Sequence, residues 1–137
     1  MNMIRRLFSI MLIAAMLTAM ATTARAVSPL QSNIQPRYVG VSTASANLTI
    51  SSTGKATVSS RVCASPGYTV NLVVSLERDS GTPVKSWSNS GGDNVTVDEI
   101  YYVSHGHNYY VSASIDVFDK NGNLVDSFTT KSSTVSY

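Results

Sequence analysis

Two histidines, His105 and His107, are the residues of this chain best suited to metal chemistry. Imidazole rings at positions i and i+2 can bind Zn²⁺ or Cu²⁺ when a third ligand converges on them. The carboxylates that neighbouring loops could bring there belong to Asp93, Asp98 and Glu99. The alternative interpretation is a polar, glycine-containing loop that tolerates histidine and binds no metal. The spacing predicts at most a weak metal site at His105 and His107, and no resident cofactor.

The segment from Asp119 to Asn123, D-K-N-G-N, resembles the start of a calcium-binding loop. It lacks the alternating acidic residues and the distal glutamate that such loops use as ligands. An Asn-Gly pair between two apolar runs is also a strong signal for a β-hairpin. The hairpin accounts for all five residues without a metal, so we expect a turn here.

No catalytic constellation is visible, although serine is abundant. The chain contains no G-x-S-x-G elbow, and no helix is predicted that could follow one. Nothing singles out one serine as the partner of His105. A glycosidase needs two carboxylates across a cleft, which a small domain rarely provides. We therefore predict that the protein is not an enzyme, and a secreted hydrolase ranks last among the functions considered.

Aromatic side chains are the best candidates for a binding surface. Two tyrosine pairs, at 101–102 and 109–110, flank the histidine loop. Because alternate side chains of a strand face opposite sides, an inward Tyr109 places Tyr110 and Phe118 outward. Exposed aromatic rings make good contact surfaces for proteins or sugars. The predicted binding residues, offered as a speculation, are Tyr102, Tyr110, Phe118 and Trp87.

Trp87 has two interpretations. It lies on a short predicted strand beside Lys85 and Asn89, whose polarity indicates the edge of a sheet. Either the indole is exposed for binding, or it folds over the edge and covers the core.

The elements that must position these residues are strands. From Tyr38 onward Val, Thr, Ser, Tyr and Ile dominate, and apolar and polar residues alternate with period two. Seven strands are predicted, over 46–51 (after a short piece at 39–42), 55–64, 68–78, 84–89, 94–103, 109–119 and 124–130, with 134–137 extending the last. Short strands separated by turn signals are typical of two packed antiparallel sheets. We therefore expect one all-β, immunoglobulin-like sandwich over 38–137, after a flexible lead-in at 27–37.

One tyrosine has a predicted structural role. The pattern Tyr109-x-Val111-x-Ala113 looks like the tyrosine corner of immunoglobulin-like and fibronectin type III sandwiches. In those folds the tyrosine hydroxyl caps the connection that precedes its strand. The chain has a single cysteine, Cys63, which excludes an internal disulfide. We expect Cys63 to be a small buried residue; an intermolecular disulfide is the open alternative.

The first 26 residues predict export. Arg5 and Arg6 precede an apolar run from Leu7 to Met20, too short for a membrane span, and a small-x-small cleavage site ends at Ala26. Three of the ten basic residues lie in this signal peptide, which leaves seven against eight acidic residues and a net charge of −1. That balance gives no overall field to attract nucleic acid. We expect a secreted protein, extracellular or associated with the cell surface, that makes no stable membrane insertion.

Nearly all of the remaining chain is similar to a group of small secreted proteins of Gram-positive gut bacteria. The shared segments are P-R-Y (36–38), L-x-I-S-x-x-G-K-A (48–56), G-Y-T-V-x-L-x-V-x-L (67–76), V-K-S-W-S (84–88), Y-x-V-x-A (109–113) and D-x-x-G-x-x-V (119–125). The resemblance implies an immunoglobulin or fibronectin type III-like sandwich and an extracellular location. It implies no activity, because the function of that group is unknown.

A non-enzymatic extracellular binding or adhesion module is the function that these observations favour, with an unidentified protein or glycan as its partner. A small secreted effector of the bacteriocin type fits the size and the export signal equally well. The residues alone do not distinguish the two, and they leave the oligomeric state open.

Overall fold

The computed structural model describes residues 38–137. The strands in this range are β1 (Val41–Ile50), β2 (Lys55–Ala64), β3 (Thr69–Arg78), β4 (Pro83–Gly91), β5 (Asn94–Tyr102), β6 (Asn108–Phe118), β7 (Leu124–Lys131) and β8 (Val135–Ser136). This part of the chain contains no helix with the length and apolar character needed to cross a membrane. The predicted signal peptide at 1–26 and the lead-in at 27–37 lie outside the range that the structure describes.

The strands form two antiparallel sheets that enclose one core. Three strands make the first sheet in the order β1-β2-β5, and the second has the order β4-β3-β6-β7, with β8 pairing to the start of β6. In antibody constant domains the fourth strand lies beside the fifth, whereas here β4 pairs with β3. The predicted all-β, antiparallel sandwich is confirmed.

Period-two burial explains why these segments pack as sheets. Along β3, four alternate side chains are fully buried, and the opposite row faces outward. The same alternation runs through β2 and β6. The fully buried rows are Ala56, Val58 and Val62 of β2, Val70, Leu72, Val74 and Leu76 of β3, and Val111, Ala113, Ile115 and Val117 of β6. Burying these apolar rows supplies the driving force for folding, since the single cysteine rules out an internal disulfide.

The strand bounds differ from the predicted ones at the sheet edges. β1 is one continuous strand from Val41 to Ile50, because its pairing with β2 continues across a register shift between Val41 and Thr43. β4 extends to Gly91 because it pairs with β3 as far as Val70. Its own polar sequence does not mark that boundary. β8 pairs with β6 and is a separate strand rather than an extension of β7.

Cys63 lies on the outer face of β2 and is only half-buried, so the expectation of a buried residue is wrong. Its inward neighbours Val62 and Ala64 require an outward position by alternation. The Cys63 thiol donates a hydrogen bond of 2.9 Å to the side-chain oxygen of Asn94, which also accepts one from Arg61. A polar partner on a neighbouring strand therefore replaces the expected core contact.

Tyr109 fastens the connection between the two sheets. Its side chain is 1% exposed, and its hydroxyl donates a hydrogen bond of 2.8 Å to the carbonyl oxygen of Ser104. Ser104 belongs to the loop that leaves β5 in the first sheet and enters β6 in the second. The hydroxyl thus holds the crossing loop against the core, as in a tyrosine corner.

Replacing Tyr109 with Phe should lower the free energy of unfolding by about 1–2 kcal/mol, because the part-buried hydrogen bond from the Tyr109 hydroxyl to the Ser104 carbonyl is lost. Chemical denaturation of the purified protein measures the change. Tyr102→Phe, at a side chain that is 67% exposed, is the matched control and should stay within about 0.5 kcal/mol of wild type. Equal stability of the Tyr109→Phe variant and wild type would contradict the capping role.

Replacing Leu72 with Ala should cost about 2–5 kcal/mol, because it leaves a cavity at the centre of β3. The adjacent Val73 is 44% exposed on the outer face, so Val73→Ala provides the control. Denaturation of both variants tests which row of β3 forms the core. A larger loss for Val73→Ala than for Leu72→Ala would contradict the assignment of faces.

Candidate functional site

The histidine loop between β5 and β6 binds Tyr137. The backbone N–H groups of Gly106 and His107 donate hydrogen bonds of 2.7 and 3.1 Å to the main-chain oxygen of Tyr137. In return, the Tyr137 N–H donates to the carbonyl oxygen of His107 at 3.0 Å. The His105 ring stacks on the Tyr137 ring with centroids 3.8 Å apart, and the His107 ring meets Tyr109 edge to face at 6.1 Å. The His105 ring thus helps to anchor the segment after β7 through Tyr137, whereas the His107 ring packs against Tyr109 of β6.

A metal site at His105 and His107 lacks its third ligand within residues 38–137, where no three His, Cys, Asp or Glu side chains converge. Asp93 precedes β5 and the histidines follow it, so nine residues of strand, roughly 30 Å, separate them. Asp98 and Glu99 lie in the middle of β5. The structure thus brings none of the three predicted carboxylates to the imidazoles.

Asp119 closes the hairpin between β6 and β7. One carboxylate oxygen accepts hydrogen bonds from the backbone N–H groups of Asn121 (2.8 Å) and Asn123 (2.9 Å). The other accepts one from the Asn123 side-chain amide at 3.1 Å. These bonds, above all those from Asn123, lower the pKa of Asp119 by stabilising its charged form. The carboxylate thus acts as the internal cap of the predicted Asn-Gly turn.

The four aromatic residues predicted to bind do not form one surface. Tyr102 lies on the outer face of the three-stranded sheet. Tyr110 and Phe118 lie on the outer face of the other sheet, eight residues of β6 apart, roughly 27 Å. Trp87 is on the edge strand β4. The aromatic residues separate because β5 and β6, although consecutive, belong to different sheets.

Trp87 covers the open side of the core, which is the second of its two interpretations. Its half-buried ring packs against the core cluster. It meets Tyr101 of β5 edge to face, with centroids 6.4 Å apart and an interplanar angle of 74°. Since β4 and β5 are edge strands of different sheets, this aromatic pair closes the gap between them.

The Tyr110 side chain contacts two charged residues on the outer face of its own sheet. Its hydroxyl donates a hydrogen bond of 2.7 Å to a carboxylate oxygen of Glu77, and the Lys131 ammonium lies 5.2 Å from the centre of its ring. The hydrogen bond to Glu77, with smaller contributions from burial and from the Glu77 charge, raises the pKa of Tyr110. The Tyr110 ring is half-buried as a result. The ring of Phe118 is half-buried as well.

The most exposed aromatic side chain has an apolar neighbour that the sequence analysis missed. Tyr102 is 67% and Ile100 is 52% exposed, and both point outward from β5, two positions apart. Their cross-strand partners on β2 are Lys55 and Thr57. The sequence contains a signal for this position. If Val95 and Val97 face inward, the alternation of side chains along β5 places Ile100 on the outer row. We call these two side chains the Ile100–Tyr102 pair.

Two open grooves flank the β4–β5 connection. One, of about 380 Å³, lies between the β2–β3 turn and Gly92 and Asp93. The other, of about 440 Å³, lies between β4 and β5, and Trp87, Asp98 and Glu99 are among its lining residues. Neither groove is lined by a histidine. The grooves therefore do not bring His105 or His107 to a serine or to a carboxylate pair.

Comparison with known proteins identifies no family for this chain and finds only distant structural similarity. No protein-family model matches the chain, and no curated protein matches it. Similar solved structures include a β-glucuronidase of Parabacteroides merdae (TM-score 0.46, 13% identity, covering 73% of this chain and 13% of that one). A β-glucuronidase of Ruminococcus gnavus is also similar (TM-score 0.36, 21% identity, covering 66% and 15%). This chain thus spans only about a seventh of their length.

Replacing Asp119 with Ala should loosen the β6–β7 turn, so that the Asn121 and Asn123 amides exchange faster with solvent. Hydrogen exchange measured by NMR reports this directly. Because folding lowers the pKa of Asp119, its stabilisation is complete above the unfolded value, about 3.9, and is lost as the pH falls through the folded pKa.

Wild type should therefore lose the protection of these two amides in strongly acidic solution, whereas the variant lacks it at neutral pH. Asp98→Ala, at an exposed carboxylate of β5, should leave both amides as they are in wild type. Equal protection in Asp119→Ala and wild type would show that Asn121 and Gly122 form the turn without the carboxylate.

Proposed function

We propose that the protein is a secreted, non-enzymatic binding module whose partner, a protein or a glycan, docks on the outer face of the three-stranded sheet. The supporting observation is the Ile100–Tyr102 pair, two adjacent side chains of which more than half is exposed. Around them the face consists mainly of small polar side chains. The exposed residues of that face include Ser45, Asn47, Thr49, Lys55, Thr57, Arg61, Thr96 and Asp98.

The Ile100–Tyr102 pair can supply binding energy that its polar surroundings cannot. Apolar area removed from water contributes about 25 cal/mol per Å². A tyrosine adds a flat ring, suited to a sugar or a peptide, and a hydroxyl that forms hydrogen bonds. It also loses little conformational entropy on docking, which favours tyrosine in binding sites. Lys55, opposite Tyr102, and Thr57, opposite Ile100, provide the polar contacts at the rim.

The open shape of this face favours a large partner. Small ligands bind in concave sites that bury most of their surface. The Ile100–Tyr102 pair instead lies on the exposed sheet face, on the outermost strand β5. A partner surface or an extended glycan can cover both side chains at once.

The extracellular part of the proposal relies on the N-terminal sequence. The predicted signal peptide at 1–26 and the similarity to small secreted bacterial proteins both support export. An outer face with few charges and many hydroxyl groups is compatible with a partner at a cell surface.

Arrays of defined glycans and of extracellular proteins, probed with the purified protein, test the proposal. Ile100→Ala and Tyr102→Ala should each weaken the wild-type signals at least tenfold, because a hot-spot side chain at the centre of an interface contributes about 2 kcal/mol or more, and a tenfold change corresponds to about 1.4 kcal/mol. Val73→Ala removes an exposed apolar side chain from the other sheet and should leave the signals unchanged.

Denaturation should show all three variants as stable as wild type, since these side chains lie outside the core cluster. Signals that survive both substitutions on β5 would contradict the proposed surface. The absence of any wild-type signal on either array would contradict the binding function itself.

A further inference from the structure

We propose that the free edge of β1 pairs antiparallel with β1 of a second copy of this chain, joining two three-stranded sheets into one six-stranded sheet. Within residues 38–137, β1 has a strand neighbour on one side only, which is β2. The backbone groups on the other side of an edge strand can pair with a further strand. The proposal goes beyond the binding function above and does not depend on it.

Three of the four sheet edges in this range carry features that oppose pairing, and on β4 and β5 these include an inward-facing charge. β4 begins at Pro83, and its register places Lys85 opposite the buried Leu76, on the core-facing row of an exposed edge. β5 places Glu99 in the same way, opposite the buried Val58. An inward-pointing charge opposes the docking of another strand, because docking would desolvate the charge. An edge proline opposes it because proline has no backbone N–H to donate.

β5 is closed by a further contact, and β7 is interrupted. The Asn89 side-chain amide donates a hydrogen bond of 2.7 Å to the carbonyl oxygen of Thr96, which occupies one acceptor of β5. In β7 the register shifts between Leu124 and Asp126, and the strand contains Asp126 and ends at Lys131. An irregular, charged edge is a poor template for a second strand.

β1 lacks the proline and the charges that protect the other edges. Its ten residues, VSTASANLTI, include no proline and no charge. After the shift between Val41 and Thr43, its register with β2 is regular from Ala44 to Ile50. A regular, neutral stretch of this length can form roughly six to eight backbone hydrogen bonds with an antiparallel partner strand.

The side chains of β1 fit a copy of β1 when the two-fold axis passes through Asn47. Asn47 is exposed at the centre of the regular stretch and then faces the same residue of the other copy. A carboxamide is both donor and acceptor, so two asparagines related by this axis can bond to each other. On either side Ser45 faces Thr49, and both are exposed small polar residues.

Charge also selects this edge for self-association. The nearest charged side chain to the centre of β1 on the outer face is Arg61 of β2, opposite Ser45. In the paired dimer the two copies of β2 lie three strand spacings apart, about 14 Å, beyond the screening length of about 8 Å at physiological salt. Pairing through β5 would instead bring Asp98 and Glu99 close to their own copies.

The dimer would also make the outer face bivalent. A two-fold axis perpendicular to the sheet keeps both outer faces on the same side, so two Ile100–Tyr102 pairs point in one direction. If these pairs bind a partner as proposed above, a repetitive surface is held through two contacts, which raises avidity.

Sedimentation equilibrium of the purified protein, from micromolar concentration to about 1 mM, tests the dimer. Wild type should show a reversible monomer–dimer equilibrium. Asn47→Lys places two positive charges opposite each other at the axis and should raise the dissociation constant at least tenfold. Asn71→Lys makes the same change on the outer face of the central strand β3 and should dimerise like wild type.

Salt distinguishes repulsion at the interface from a folding defect. High salt screens the two lysines, so part of the Asn47→Lys dimer should return, whereas a misfolded variant would not recover. Circular dichroism of both variants should match wild type. A wild-type protein that remains monomeric to about 1 mM would overturn the proposal. So would an Asn47→Lys variant that dimerises as well as Asn71→Lys.

Monomeric protein that still binds on the arrays would leave the Ile100–Tyr102 proposal intact while this one fails. The reverse result, a wild-type dimer without array signals, would remove the binding proposal alone. The two experiments thus give separate answers.

Discussion

The antiparallel pairing of β3 with β6 is the constraint on which the rest of the structure depends. The two strands pair over ten residues, and their inner rows are almost entirely buried. β4 adds to one side of this pair, and β7 and β8 to the other, while the three-stranded sheet covers its inner face. With one cysteine in the chain, no internal disulfide supports this arrangement. The hydrophobic effect and the sheet hydrogen bonds must stabilise it.

The same packing determines what remains for function. Residues that sequence reasoning selected for their chemistry have structural partners once the sheets close. The imidazoles contact Tyr137 and Tyr109, Trp87 covers the core beside Tyr101, and the Asp119 carboxylate closes a turn. What remains exposed is a sheet face with the Ile100–Tyr102 pair, and the proposed binding function rests on this surface.

A two-sheet sandwich also leaves unpaired strand edges, and the edges of this protein differ in how well they are protected against pairing. Within the described range β4, β5 and β7 contain proline, inward-facing charge or irregular register, whereas β1 is neutral and its register is regular from Ala44 to Ile50. Edge protection costs little in a small domain, since one charged residue suffices. The difference between β1 and the other three edges therefore concerns association more than folding.

The amino-acid sequence by itself determined the fold class, most of the strands and the inward row of each central strand. These follow from local rules, because a period-two pattern specifies which side chains must be buried and turn residues mark where strands end. It also indicated the Asn-Gly turn and the tyrosine at the crossing loop. The alternation of buried and exposed residues also contains the outward positions of Cys63 and Ile100.

Only the tertiary structure decided which strands share a sheet, and with that the fate of the candidate site. β5 and β6 are neighbours in the chain but lie in opposite sheets, so Tyr102 and Tyr110 face in different directions. The ends of β4 and the partner of β8 likewise depend on pairing with distant strands. Strand pairing joins residues far apart in sequence, and its free energy depends on the packing of the whole sandwich. No local pattern contains that information.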